Sequence, residues 1–150
     1  MEKIVAAIHM SSAKSAPCVP LRHALLVRDF GLKGDSHAGD SGKQLSLLSI
    51  ESIDSQEKCF KFTAGNTGFK PGDYGENLST SGIVLSGLSV GDRLRVGDTA
   101  VLELSKIGRK CFRYCSLYTG AADCAVCREG VFARIITGGE IAVGDEITLL

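Results

Sequence analysis

Apolar positions along the chain come in short runs, each soon interrupted by turn-forming residues. Lys3–His9, Ala24–Arg28, Gln44–Leu48, Arg93–Val96, Ala100–Ile107, Phe132–Ile136 and Glu146–Leu150 are rich in Val, Ile and Leu with partial alternation, and each reads as a β-strand. Between them lie GLKGDSHAGDSGK, GNTGFKPGDYGEN, VGD, TGGE and a second VGD, where Gly, Asp, Asn and Pro mark turns. One segment has a helical signature. ESIDSQEKCFKF opens on Glu51 and Asp54 and closes on Lys58 and Lys61, the charge order a helix dipole favours. Short strands, glycine-rich turns and one or two short helices predict a mainly β fold, barrel-like or an irregular sandwich. No βαβ alternation is visible, so a dinucleotide-binding parallel sheet is not expected.

Two stretches echo each other: LSVGDRLRV (88–96) and IAVGDEITL (141–149). Nothing around them matches, so they are read as two similar tight turns feeding strands, with Gly supplying positive φ, rather than as a repeat.

Size and charge narrow the picture. A chain of 150 residues suits one domain, 1–150, with a core that needs no covalent staples. Seventeen basic residues balance seventeen acidic ones, and Trp is absent. Neither the charge footprint of a nucleic-acid or anionic-membrane binder nor an aromatic stacking platform is present. No apolar run approaches the roughly 20 residues of a membrane helix. The start, MEKIVAAIHMSS, has an apolar stretch too short for a secretory leader and reads as the first strand. A cytoplasmic location is the expectation, and with it reduced thiols.

That bears on the densest chemistry in the chain, KIGRKCFRYCSLYTGAADCAVCREG, which holds four of the six cysteines: Cys111, Cys115, Cys124 and Cys127. A disulfide framework sits poorly with the expected compartment. Four thiolates suit zinc, but one spacing is longer than the usual knuckle and the intervening loop is shorter than usual. The third reading is a working thiol. Lys106, Arg109, Lys110, Arg113 and Arg128 face only Asp123 within residues 106–128, a local excess of four positive charges. Such neighbours favour thiolate and attract an anionic ligand. Cys111, with Arg109, Lys110 and Arg113 within two positions, is the best-placed thiol, and on a strand Arg109 and Arg113 would share its face. The plain alternative is a buried cysteine flanked by solvated cations.

GLKGDSHAGDSGKQ invites comparison with a nucleotide P-loop and fails it. The first required glycine is His37, and the residue after Lys43 is Gln44 rather than Ser or Thr. A glycine-rich turn that cradles an anion on backbone N–H groups, or a plain surface loop, remain the two readings. His9, His23 and His37 are scattered, and only His37, between Asp35 and Asp40, lies in a polar turn.

In order and spacing, the turns GDSHAG (34–39) and PGDYGENL (71–78), the step IGRKC (107–111) and REGVFAR (128–134) resemble the MOSC domain, found at the C-terminus of molybdenum-cofactor sulfurases. The resemblance runs over nearly the whole chain. It implies a β-barrel-like MOSC fold that binds a molybdenum–molybdopterin cofactor, a tungsten form being the variant. Cys111 matches the family's signature cysteine. The implied roles are metal ligand in relatives that reduce N-hydroxylated compounds and sulfur carrier in sulfurases. By the same resemblance, Asn77, Arg109 and Arg113 would contact the cofactor, and Lys33, Gly34, Asp35 and His37 would shape its phosphate or pterin end. Without the resemblance, Asn77 reads as a turn residue. Two positions depart from the pattern: Lys110 stands where relatives often have proline, and Val126–Cys127 where they often have Met–Pro. Cys127 then looks like an addition. The likeness does not extend to the large pyridoxal-phosphate domain of sulfurases, so mobilising sulfur from free cysteine is not expected.

The expected activity is reduction of a small N-hydroxylated substrate, with electrons from a separate protein donor and Cys111 on the metal. A cofactor or persulfide carrier, served by cofactor-biosynthesis proteins, is the rival from another class. A zinc-stapled interaction module is the third reading. Nucleic acid and membrane are not expected partners.

Overall fold

The computed structural model describes residues 2–13, 18–40, 42–54, 71–72, 75–108 and 129–150. In chain order the elements are β1 (Ile4–Met10), β2 (Val19–Leu21), β3 (His23–Val27), β4 (Gly31–Leu32), β5 (Leu45–Ser49), α1 (Ile50–Asp54) and β6 (Leu78–Ser81). There follow a single 3₁₀ turn at Leu85–Gly87, then β7 (Arg93–Val96), β8 (Ala100–Ile107), β9 (Val131–Thr137), β10 (Gly139–Ala142) and β11 (Ile147–Leu149). The mainly β expectation holds, and the seven strands read from the sequence are all present, two of them with the expected limits. The front of the expected helix is there as α1, whose first backbone turn is capped by Ser49: the Ser52 N–H donates to Ser49 Oγ at 3.1 Å. Residues 55–62 of that expected helix lie outside the described ones. Among the described residues no helix is long and apolar enough to cross a membrane.

One sheet has eight strands in the order β11-β7-β8-β9-β5-β6-β1-β2, and a smaller sheet has three in the order β10-β3-β4. Most pairings are antiparallel, but β5 and β6 run parallel, with Leu47 opposite Leu78 and Ser49 opposite Thr80. Barrel closure falls short. The large sheet stays open, and among the described residues β1, the strand next to one edge, approaches the β11 edge through an isolated bridge between Ile4 and Glu146. Around that bridge Ile147 N–H reaches Lys3 C=O at 2.7 Å and Val5 N–H reaches Asp145 C=O at 2.9 Å. A register shift between Val5 and Ala7 bends β1, so its first half meets this seam while its second half, Ile8–Met10, pairs with β2.

The core follows from strand alternation. In β7, and in β8 as far as Leu104, every second residue is buried, placing Leu94, Val96, Ala100, Leu102 and Leu104 inside. β5 and β6 are buried more continuously, as parallel strands covered on both faces tend to be. Leu45, Leu47 and Leu78 enter the main core, and the alternate positions Ser46 and Ser79 face the other side.

The echoing stretches are two copies of one turn. Ser89–Asp92 and Ala142–Asp145 each carry glycine at positive φ, Gly91 at 96° and Gly144 at 95°. In each, the closing aspartate takes the first residue's amide on Oδ2, at 2.8 Å in both. The type II turn demands glycine at that position, and the strands they feed, β7 and β11, are neighbours.

Candidate functional site

Two of the motif turns named above converge on one buried polar cluster. It lies where the end of β1, the loop 33–40, the start of β5 and the approach to β6 meet. Asp35 is its anchor. Its side chain is 1% exposed. Oδ1 accepts the Ser11 amide at 2.9 Å and Oδ2 accepts the His37 amide at 3.1 Å. His37 Nδ1 lies 3.4 Å from the same Oδ2, and the Asn77 side-chain amide also donates to Asp35. Burial pushes the Asp35 carboxyl up. The bonds from the His37 ring, the Ser11 and His37 amides and Asn77 outweigh that, leaving it below its ordinary value.

Asn77 extends the pairing of β6 by one residue on both sides. Its N–H donates to Ser46 C=O and Ser46 Oγ, each at 3.0 Å, while its C=O accepts the His9 amide at 2.7 Å. The side chain repeats the pattern: Oδ1 accepts Ser46 N–H at 3.0 Å and Ser46 Oγ–H at 3.2 Å, and Nδ2 donates to His9 C=O at 3.2 Å. With the Asp35 bond added, the amide's bonding capacity is used within the chain, and the residue is 2% exposed. The geometry makes it a cross-strand clamp.

Most of the loop amides are spent in the same way. Lys33, Asp35, Ser36, Ala38, Gly39 and Asp40 donate to backbone carbonyls, and His37 and Gly42 donate to the carboxylates of Asp35 and Asp40. An open backbone cradle for an anion is therefore not what this turn forms. Lys33 and Gly34 sit on its exposed side and His37 is half-exposed. Gly34 has φ 91°, and a Cβ there would come within 3.2 Å of Met10 Cε.

Two members of the cluster escaped the sequence reading. Glu76 is 3% exposed and takes Gly72 N–H and Ser79 Oγ–H on Oε2, both at 3.0 Å. Cys18, half-buried and unbridged, faces this carboxylate and Asp35. Burial first, then the two negative charges, raise its thiol pKa. Glu76 sits inside the quoted GENL turn, but nothing in its own sequence neighbourhood signals burial. Cys18 lies far from the other cysteines, and only the fold brings it here.

Cys111, Arg109 and Arg113 lie outside the described residues, as do Cys115, Cys124 and Cys127. Their segment is tied at both ends to one place: Gly108 N–H donates to Gly130 C=O at 2.7 Å, where β8 ends and β9 begins. Among the described residues no group of three or more His, Cys, Asp or Glu is arranged to hold a metal.

Comparison with known proteins agrees with this architecture. The model of the MOSC domain family matches residues 34–148. A curated relative named reductase, from Gibberella moniliformis, is 32% identical over 83 residues, covering 53% of this chain and 15% of the relative. The chain thus spans a small part of that protein's length. Among solved structures, the YuaD protein from Bacillus subtilis superimposes with a TM-score of 0.77 at 20% identity, covering 98% of this chain and 94% of that one. YiiM from Geobacillus stearothermophilus gives 0.71 at 15% identity, covering 99% and 75%. YiiM from Escherichia coli gives 0.67 at 20% identity, covering 98% and 69%. At these identities the structures share a fold with this chain.

Proposed function

The chain belongs to the MOSC domain family, and from that premise we propose that it binds a molybdenum–pterin cofactor and reduces small N-hydroxylated substrates. The family match over residues 34–148 carries this reading, because it spans the two motif turns, the IGRKC step and REGVFAR together. The name of the Gibberella moniliformis relative, reductase, supports a reductive reaction.

In this reading Cys111 is the metal ligand and catalytic residue. A thiolate is a soft donor suited to such a metal, and the cationic run around it favours ionisation. Arg109 and Arg113 would meet the anionic parts of the cofactor. Their segment leaves and rejoins the sheet at Gly108 and Gly130, so covalent continuity ties the working thiol to that edge. The cofactor, when bound, supplies electron-pair chemistry, and the protein supplies ligation, orientation and charge.

The described residues fit that cofactor as frame more than as lining. Asp35 and Glu76 are anionic and their bonds go to chain donors, which suits them to hold the two motif turns together and not to meet a phosphate. Asn77 is then a positioning residue that fixes β6 against β1 and β5. Lys33, Gly34 and His37, on the open side of the loop, are the groups there able to approach the phosphate or pterin end. Electrons would come from a separate protein donor, and the cytoplasm is the compartment that suits reduced thiols.

The test is direct. Protein from a molybdenum-replete host should carry molybdenum and pterin in near-equal amounts, tungsten replacing molybdenum if the site prefers it. It should reduce a hydroxylamine compound with an artificial electron donor, and Cys111→Ala should abolish turnover while the circular-dichroism spectrum is unchanged. Stoichiometric zinc without pterin would overturn the reading. Cofactor bound with no turnover across a broad panel would make the protein a carrier.

A further inference from the structure

Away from the core, the outer face of β7, β8 and β9 is a band of arginines. Positions that alternate with the buried ones bring Arg93, Arg95, Glu103 and Arg134 together, Arg93 and Arg134 being the partners of Glu103 on its two neighbouring strands. Further along, Lys106 stands opposite Phe132, and Lys43 closes over that ring with Nζ 5.5 Å from its centroid. We propose that this face docks the carboxylate-rich surface of a partner protein in a transient complex.

The charges on it do not cancel. Arg134 Nη2 donates to Glu103 Oε2 at 3.2 Å, and Arg93 Nη2 stands 3.8 Å from the same oxygen. Asp29 is shared in the same way, with Arg134 Nε 4.0 Å from Oδ1 and Arg28 Nε 3.8 Å from Oδ2. Three arginines thus divide two carboxylates, and each guanidinium keeps N–H donors to spare. Arg95 and Lys106, both exposed, have no carboxylate partner among the described residues. Glu146, next to the buried Ile147, is the other carboxylate that alternation turns to this side. Arg28, Lys43, Arg93, Arg95, Lys106 and Arg134 against Asp29, Glu103 and Glu146 leave an excess of three positive charges, on a chain whose total is zero.

That pattern selects the partner. Guanidinium forks match carboxylates with two parallel bonds, and Arg93 and Arg134 are about half exposed. Carboxylates set among the cations repel a dense row of phosphates, such as nucleic acid or an anionic membrane presents, but accept the scattered lysines of a protein surface. Phe132 is buried beneath Lys43 and gives bases nothing to stack on. From Val101 to Lys106, and across from β11 to β9, the face measures roughly 17 by 14 Å. That is well below the ~800 Å² a partner of standard size covers, so the contact is brief and dissolves in salt. The band ends at Lys106, two residues before Gly108, which seats the partner beside the strand ends where the Cys111 segment departs.

Docking here needs no cofactor, and neither does its test. An octaglutamate peptide, titrated into the full chain at low salt and followed by ¹H–¹⁵N correlation spectra, should give saturable shifts centred on Arg93, Arg95, Glu103 and Arg134. They should vanish at about 0.3 M NaCl. Arg95→Ser, at an exposed position with no partner to lose, should weaken the peptide about 2–5-fold. Reversing two charges together, Arg93→Glu with Arg95→Glu, should weaken it at least about 10-fold. Glu103→Gln removes a competing carboxylate and should tighten it about 2-fold. Shifts centred on residues 109–128, binding indifferent to Arg95→Ser, or tighter binding of duplex DNA or phosphatidylserine vesicles at the same salt would each overturn the assignment.

Discussion

Asp35 gives the sharpest test of the framework, because one carboxylate ties three chain segments. Replacing it with alanine removes acceptors for the Ser11 and His37 amides. Hydrogen bonds to a charged partner contribute about 1.5–3 kcal/mol each, a gross of about 3–6 kcal/mol. Relief of the cost of burying the charge returns part of it, and the net loss is about 2–4 kcal/mol. For a chain of this length that lowers Tm by roughly 5–15 °C. Asp35→Asn keeps one acceptor oxygen and should lose about half as much. The pH dependence separates a charge effect from a shape effect. The folded carboxyl titrates below its ordinary value of 3.8. Its ionised form therefore contributes stability that is complete above the unfolded value and is lost as pH falls through the folded one. Urea unfolding of wild type and Asp35→Asn should show a gap that is constant from pH 7 to about 5 and narrows below about 4. A gap unchanged down to pH 3, or equal stability at pH 7, would show that the carboxylate does not hold these turns.

Other consequences are simpler to read. Gly82 has φ 82° and a Cβ there would clash with the Glu2 carbonyl oxygen, whereas Gly75 has φ 77° with nothing within 4 Å. Gly75→Ala should therefore cost only the left-handed strain of about 1–2 kcal/mol, and Gly82→Ala clearly more by urea denaturation; equal costs would contradict the packing described. Cys18 should alkylate slowly at pH 8, since burial and the charges of Glu76 and Asp35 raise its pKa. Glu76→Gln should speed iodoacetamide labelling of Cys18 several-fold by peptide mass spectrometry, and an unchanged rate would remove Glu76 from its surroundings. Cys127→Ser should leave cofactor content unaltered, and loss of pterin in that variant would reassign the working sulfurs.

Much of the fold was legible in the order of residues. The VGD turns feeding β7 and β11 were readable because type II geometry admits few residues besides glycine at their third position. β7 and β8 were readable because alternation shows when one face is buried and the other wet. β6 was not. Its sequence, LSTS, has one strongly apolar residue, yet Ser79 and Thr80 are fully buried in a strand paired on one side with β5 and on the other with β1. β2, β4 and β10 are likewise too short for a period to appear, and their pairing with distant strands defines them. That the large sheet stays open, with β1 shifted in register between Val5 and Ala7, is encoded in no pattern of hydrophobicity.

The candidate site divides along the same line. The chemistry of single residues, a thiol among cations at Cys111 and glycine-rich turns bearing Asp35 and Asn77, is a property of the local sequence. The company those residues keep is not. Asp35 and Asn77 lie 42 positions apart in the chain, and Ser52 meets Glu129 across 77. Local sequence determines which turns and alternating strands the backbone accepts, because steric limits and side-chain periodicity act over a few residues. Which polar groups are buried together, and so whether Asn77 reaches outward or clamps inward, is decided by long-range pairing, since only packing from distant strands removes water and leaves chain groups as partners.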